Sequence, residues 1–207
     1  PLNHTWRYDQ SGADLGTDWT EPGFDDDGWF RGPGVLAQEN HPVVTPLTQT
    51  VLSLLNGDGQ PIIAYYFRTE FTLTDDPFSL YLTFSNLVDD GAVFYLNGAE
   101  IFRQNMNPGP VSAATLAMGS ADEGVWAVRH LRPDNLRPGA NLLTVEVHQN
   151  AASSSDVVFG CSVTQHPANW GPVVIVRQPE PAFAAPGADV TLLTYVAGME
   201  PITYQWF

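Results

Sequence analysis

Consecutive aspartates are the side chains of this sequence best suited to chemistry, and they occur as Asp25–Asp27, Asp75–Asp76 and Asp89–Asp90. Each group stands at an expected turn. Hard cations such as Ca²⁺ take six to eight oxygen ligands, which acidic loops can supply. The alternative is ordinary turn chemistry, in which aspartate accepts hydrogen bonds from nearby backbone amides. Our candidate metal ligands are Asp89 and Asp90, together with Asp156 from a later loop.

A second polar group lies near Asp156. Glu146 and His148 share one face of a predicted strand, and Asp156 begins the next strand. If these two strands pair, their polar groups meet at one rim of a sheet. The group would then be either a ligand or metal site, or a buried polar network that fixes the loop between the strands.

Aromatic side chains suggest a different chemistry. Aromatic faces stack on sugar rings, and carbohydrate sites combine them with amides and carboxylates. Our candidate ligand-binding residues are Trp19 and Trp126, with Glu39, Asn40 and His41 from one long loop. The alternative for both tryptophans is packing in the core.

Catalytic signatures are missing from the sequence. It has no Gly-x-Ser-x-Gly motif, no closely spaced histidine pair for zinc and no glycine-rich phosphate loop. Cys161 alternates with apolar strand residues, as an inert buried thiol does. A glycosidase needs two carboxylates, but 23 acidic residues bring some pair to that spacing by chance. We therefore predict no active site within these residues, and hence no enzyme.

Charge and composition exclude several classes of protein. The 207 residues contain 8 basic side chains, all of them arginine, and 23 acidic ones, giving a net charge of −15. So acidic a chain lacks the cationic surface that nucleic acids and anionic membranes require. No apolar run is long enough to span a bilayer, so we expect no membrane insertion. A single cysteine excludes a disulfide within the chain.

The elements that must position these residues are predicted to be strands. Hydrophobic and polar residues alternate with period two in four segments, which is typical of half-buried strands: Tyr65–Leu73, Ser79–Ser85, Leu143–His148 and Val157–Thr164. Asn97-Gly98 joins two further apolar runs and favours a type I′ hairpin turn. Only Leu47–Leu55 could form two helical turns. The pattern predicts an antiparallel sandwich, crossed by one long irregular segment, Pro33–Pro61.

The last part of the chain is a separate unit. Residues 167–172 interrupt the strands and form a predicted linker. In residues 173–207 alternation returns at Val190–Val196 and again at Ile202–Trp206. About 35 residues are too few to bury a core of their own. We therefore expect residues 173–207 to be the first strands of a domain that continues beyond Phe207.

Six motifs follow one another along residues 1–166: Trp6–Tyr8, Phe24–Trp29, Tyr66–Phe71, Asp89–Gly98, Leu136–Asn141 and Val145–Gln149. As an ordered set they resemble the galactose-binding-like (jelly-roll) β-sandwich superfamily, in a version found as an accessory module of large secreted or cell-surface bacterial proteins. They also resemble the amino-terminal sugar-binding-like domain of some glycoside hydrolases. The resemblance implies a jelly-roll fold and often a structural calcium ion. It also implies a structural role for His148, Gln149 and Asp156.

The tail resembles the start of a bacterial immunoglobulin-like domain. Val190–Leu192 would belong to its second strand and Ile202–Trp206 to its third, with Trp206 as the core tryptophan. Thr194 stands where disulfide-bonded members have cysteine. The predicted fold is therefore all-β: a jelly-roll antiparallel β-sandwich followed by a partial immunoglobulin-like sandwich.

These expectations lead to a non-catalytic, extracellular module of a larger secreted protein. Its predicted role is carbohydrate binding or surface adhesion, with calcium as a structural cofactor. Its expected partners are a polysaccharide or cell-surface glycan, neighbouring domains of the same polypeptide and assembly subunits. Two alternatives stay open: a structural spacer or subunit of a cell-surface assembly with no small ligand, and an accessory domain of a secreted glycoside hydrolase.

Overall fold

The computed structural model describes residues 1–169, 171–179 and 181–205. These ranges contain thirteen β-strands and three short 3₁₀ turns, the turns being Asp18–Thr20, Thr45–Leu47 and Pro77–Ser79. The strands are β1 Thr5–Asp9, β2 Phe30–Pro33, β3 Leu36–Gln38, β4 Thr50–Val51, β5 Ala64–Leu73, β6 Leu80–Asp89, β7 Gly91–Leu96, β8 Ala99–Gln104, β9 Ala127–Leu131, β10 Gly139–His148, β11 Val157–Pro167, β12 Val174–Arg177 and β13 Tyr195–Ala197. The all-β prediction is confirmed.

Two sheets face each other across one core. The larger sheet has the strand order β2-β1-β5-β10-β7-β8, and the smaller has the order β4-β3-β11-β6-β9. Neighbouring strands are antiparallel except β3 and β4, which are parallel. Aromatic rings from both sheets meet between them: the rings of Phe67 and Phe159 stack at 4.2 Å. The predicted antiparallel β-sandwich is therefore present.

The Asn97-Gly98 hairpin forms as predicted. Asn97 has φ 48° and Gly98 has φ 90°, so both central residues adopt the left-handed conformation that a type I′ turn needs. The Asn97 side chain fixes the turn against β10, because its Oδ1 accepts from the backbone N–H of Leu142 at 2.9 Å. Its Nδ2 donates to Asn141 Oδ1 at 2.9 Å.

The helix expected at Leu47–Leu55 is wrong. A 3₁₀ turn ends at Leu47, and the chain then runs beside β3 as the short parallel strand β4. Its backbone amides are satisfied by the neighbouring strand, since Leu52 N donates to Ala37 O at 3.1 Å. Pairing with an existing strand thus replaces the bonds that a helix would make within itself.

The pairing of β10 with β11, on which we made the convergence of their polar groups conditional, does not form. β10 belongs to the larger sheet and β11 to the smaller, so residues 149–156 cross from one sheet to the other. Asp89-Asp90, between β6 and β7, makes a second crossing of this kind. Because β10 pairs with β7 and β11 pairs with β6, the two crossings lie side by side at one end of the sandwich.

The outer face of the larger sheet is covered, although alternation predicted a wetter face there. Residues 10–29 place Trp19 against Tyr66, and residues 105–119 place Met106 against Val93. The outward-facing residues of these two strands are therefore buried as well: Ala64, Tyr66 and Arg68 of β5 and Leu142, Thr144, Glu146 and His148 of β10. This second layer explains how polar side chains on β10 come to be shielded from water.

The tail contributes the two-stranded sheet of β12 and β13. Val176 and Ala197 pack against Tyr81 of the smaller sheet, and Arg132 N donates to Val176 O at 3.2 Å. The strand expected over Val190–Val196 is wrong in its bounds, because β13 begins only at Tyr195. Residues 201–205 form no strand, and Trp206 lies outside the described residues. The immunoglobulin-like assignment stays a prediction, as do the domain boundaries.

No helix among the described residues is long and apolar enough to cross a membrane.

Candidate functional site

Five carboxylates meet at the end of the sandwich where the two crossings lie. We call this group the acidic pocket: Glu39, Asp89, Asp90, Glu123 and Asp156. The cavity beside it has a volume of about 290 Å³, and its remaining lining consists of serine, alanine and asparagine residues. No described arginine, histidine or cysteine lines this cavity. The site is therefore acidic, and the atoms that it could offer to a metal ion are oxygens.

Strand register accounts for this convergence. Asp89 ends β6 and is paired with Val158 of β11, so it lies beside Asp156, which precedes that strand. Glu39 directly follows β3, whose last residue is paired with Val157. Glu123 comes from the long loop between β8 and β9. Carboxylate oxygens of Glu39, Glu123 and Asp156 lie within 4.8 Å of one another.

Asp90 performs the turn chemistry that we considered for it. Its side chain is 3% exposed, and its two oxygens accept from the backbone amides of two loops: Ala121 N at 3.2 Å and Asn150 N at 2.8 Å. Asp90 thus joins the two loops that border the pocket. Asp156 is partly satisfied in a similar way, since Ser154 Oγ donates to its Oδ1 at 3.0 Å.

Asp89 has a different environment. It is only 5% exposed and lines the cavity. Among the described residues, no backbone or side-chain N–H group and no hydroxyl group donates to its carboxyl. Burial, with the adjacent charge of Asp90 and that of Asp156, raises the pKa of Asp89 to about 8. Burial and the nearby charges of Glu39 and Asp90 also raise the pKa of Asp156, against the hydrogen bond from Ser154.

Glu39 divides its two oxygens between separate tasks. Oε1 accepts from the backbone amides of Asn40 and His41, the latter at 2.8 Å, and so closes the turn after β3. Oε2 is buried and has no hydrogen-bond partner among the described residues. One carboxylate oxygen is therefore left beside the other acids without a donor.

The donor set fits calcium, the cofactor that the resemblance implies. Calcium takes carboxylate, carbonyl and hydroxyl oxygens in a flexible shell, whereas zinc prefers nitrogen and sulfur ligands. Magnesium is usually held by only one or two carboxylates. Glu39, Glu123, Asp89 and Asp156 would hold the ion, while Asp90 is engaged by backbone amides.

The structure places the predicted ligand-binding loop beside this pocket. Asn40 and His41 follow Glu39, and Trp126 follows Glu123 by three residues. The two loops touch, because a Cβ added at Gly124 would lie 2.7 Å from the His41 ring. Trp126 is 38% exposed, and its neighbour Val125 is 56% exposed. Four predicted ligand residues and three predicted metal ligands thus occupy one end of the molecule.

Trp19, the fifth predicted ligand residue, is 1% exposed and lies on the covered face of the larger sheet. Its ring packs edge-on against Tyr66 at 4.9 Å and Tyr95 at 5.8 Å, and its Nε1 donates to Gly16 O. The indole is therefore enclosed within the protein, so Trp19 offers no platform to a sugar.

Glu146 and His148 form a buried polar network. They are 3% and 0% exposed, and Tyr95 OH donates to Glu146. His148 Nδ1 lies 2.8 Å from Thr115 O, which can only accept, so Nδ1 is the protonated nitrogen. Nε2 is 3.2 Å from Glu146 Oε2 but is not aligned for a hydrogen bond. This arrangement fixes the loop that covers the sheet and leaves no access for a ligand.

The sequence did not single out Glu123, and it suggested Glu39 only as a sugar ligand. The one local signal for Glu123 is its acidic neighbour Asp122 in a loop. Glu123 lies close to Glu39 and Asp156 because of the three-dimensional arrangement of the strands and loops. A short stretch of sequence does not contain that information.

No protein-family model matches the chain, and no curated protein matches it either. Solved structures do match. A β-glycosidase from Bacteroides vulgatus has a TM-score of 0.51 at 12% identity, covering 96% of this chain and 24% of that one. A glycosyl hydrolase family 2 member from Bacteroides cellulosilyticus has a TM-score of 0.52 at 10% identity, covering 86% and 22%. The likeness shows a shared fold, and the chain spans about a quarter of the length of these enzymes.

Proposed function

We propose that this chain is a non-catalytic β-sandwich module of a longer, secreted carbohydrate-active protein, and that it holds a glycan at the end bearing Trp126. The observation that carries the proposal is its fold. That fold is shared with about a quarter of each of two glycoside hydrolases, while this chain is covered almost entirely. The two neighbours are large enzymes, and about three quarters of each lies outside the part that matches this chain. That remainder is large enough to contain a catalytic site.

The proposed binding surface consists of the Trp126 ring and of Asn40 and His41 from the loop that touches Gly124, two residues before Trp126. An exposed indole face can stack on a sugar ring, and amide and imidazole groups can bond its hydroxyls. Asn40 is exposed and His41 half-buried, so both can reach a ligand at the surface. The partners are therefore a polysaccharide or cell-surface glycan and the other domains of the same polypeptide.

A glycan array probed with the full chain tests this function, followed by titration of any bound oligosaccharide. We expect Trp126→Ala to weaken binding at least tenfold, because stacking on an aromatic ring contributes about 1 to 3 kcal/mol. Phe78→Ala is the matched control: Phe78 is 79% exposed and precedes β6, so it lies roughly 30 Å along that strand from Asp89. This variant should bind as the unchanged chain does.

The opposite results would contradict the proposal. Equal weakening by both substitutions would show that Trp126 has no special part, and hydrolysis of any glycan by the chain alone would contradict the non-catalytic role. Failure to bind any glycan would favour the alternative, a structural spacer or subunit of a surface assembly.

A further inference from the structure

The acidic pocket has two groups that no protein donor satisfies. Asp89 is 5% exposed, lines the cavity and meets only other acids, and Glu39 Oε2 is buried without a partner. A buried carboxylate is strongly unfavourable unless a cation or hydrogen-bond donors compensate it. The cavity has no described arginine or histidine in its lining, so the compensating positive charge must come from solution, either as a proton or as a bound metal cation.

We propose that the acidic pocket binds a calcium ion through Glu39, Glu123, Asp156 and Asp89, and that the ion joins the end of β3, the loop before β9 and the two crossings between the sheets. Calcium bonds to oxygen at about 2.4 Å, so two ligands of one ion are at most about 4.8 Å apart. The oxygens of Glu39, Glu123 and Asp156 already meet this limit. Serine and asparagine oxygens of the cavity lining can complete the shell.

The ion would tie down both loops at the Trp126 end. Glu39 directly precedes Asn40, and Glu123 lies three residues before Trp126. Calcium binding therefore orders the surface that we assign to the glycan, a consequence that rests on the proposed function. The ion site itself does not depend on it.

Calcium titration of the full chain tests the proposal, after treatment with a chelator and its removal. We expect saturable binding of one ion by calorimetry. At free calcium 100 times Kd, the midpoint of thermal unfolding should rise by about 5 to 10 °C, since a ligand that binds only the folded state stabilises it.

Two neighbouring acids provide a matched pair of variants. Glu123→Gln removes a proposed ligand, and Asp122→Asn removes the same charge from an adjacent exposed residue outside the group. We expect Glu123→Gln to weaken calcium binding at least tenfold and Asp122→Asn to change it less than twofold. Both side chains are exposed, so neither substitution threatens the fold.

An unchanged melting midpoint and no heat of binding up to millimolar calcium would overturn the proposal. So would equal weakening by Glu123→Gln and Asp122→Asn, since the ion would then respond only to overall charge. Calcium binding without any glycan binding would support the ion site while contradicting the sugar-binding function, so the two failures can be told apart.

Discussion

Asp26 and Asp89 are both shielded from water by the same sandwich, but their electrostatic environments are opposite. The Asp26 side chain, 15% exposed, lies between two arginines: Arg68 Nε donates to its Oδ2 at 2.7 Å, and Arg7 donates to its Oδ1. Asp89, 5% exposed, meets Asp90, Asp156 and Glu39. The partly buried Asp26 is paired with cations of the chain, and the buried Asp89 is not.

The few cations of this chain are distributed unevenly between the two regions. Arg31, Arg7 and Arg68 lie side by side on three adjacent strands, because Arg7 is paired with both of the others. Arg68 also donates to the carbonyl groups of Trp19 and Glu21, which fixes residues 10–29 over the sheet. The region around Asp26 is thus complete in itself. The acidic pocket needs a cation from outside, so the two regions should respond differently to mutation and to calcium.

Removing Arg68, the buried cation beside Asp26, should have the largest effect on stability. We expect Arg68→Ala to lower the free energy of unfolding by about 3 to 5 kcal/mol, because it leaves Asp26 Oδ2 and two carbonyl groups without the buried donor that satisfies them, while Arg7 still donates to Asp26 Oδ1. Urea unfolding measures the change, which should be the same with calcium and with chelator. Arg129→Ala, at an exposed position, serves as the control and should change stability by less than about 0.5 kcal/mol. A loss below 1 kcal/mol for Arg68→Ala would remove the contrast between the two regions.

Neutralising Asp89 should have a smaller effect whose sign depends on calcium. In chelator at neutral pH we expect Asp89→Asn to raise the free energy of unfolding by about 1 to 2 kcal/mol, since the folded chain no longer has to bury a charge or take up a proton at this carboxyl, whose pKa is raised to about 8. In calcium the same variant should be less stable than the unchanged chain, because it has lost a ligand. Asp58→Asn, at an exposed turn, should show neither effect. Equal destabilisation under both conditions would mean that Asp89 is an ordinary structural residue.

The smallest expected effect is the coupling between the regions. Arg68 and Glu123 share no hydrogen-bond partner among the described residues, so Arg68→Ala and Glu123→Gln should combine additively within about 0.5 kcal/mol. A double-mutant cycle in calcium measures this. A larger coupling energy would mean that the two regions act as one network.

The alternation of hydrophobic and polar residues predicted where the strands lie. It did not predict which other segments of the chain pack against them. Alternation located β5, β6, β10 and β11, and the Asn97-Gly98 turn formed as expected, because both signals depend on neighbouring residues. Alternation could not reveal that the outer face of β10 is covered, since residues 10–29 and 105–119 come from elsewhere in the chain. Trp19 was open to either interpretation for the same reason.

The residues of the acidic pocket also fall into those that the sequence could identify and those that it could not. Asp89, Asp90 and Asp156 could be selected because they stand at strand ends, where acids are accessible to a ligand. Glu39 joins them because β3 pairs with β11, and Glu123 because the long loop before β9 reaches the same end of the sandwich. The sequence brought the polar groups of β10 and β11 together only on the condition that these strands pair, and they belong to different sheets.

The most direct measurement is a crystal structure of the full chain grown in calcium, with anomalous scattering used to locate the ion. We predict one anomalous peak in the acidic pocket, about 2.3 to 2.6 Å from carboxylate oxygens of Glu39, Glu123 and Asp156. A well-ordered pocket without a peak, at a calcium concentration that saturates binding in solution, would contradict this prediction. A peak found only at a different site would also contradict it.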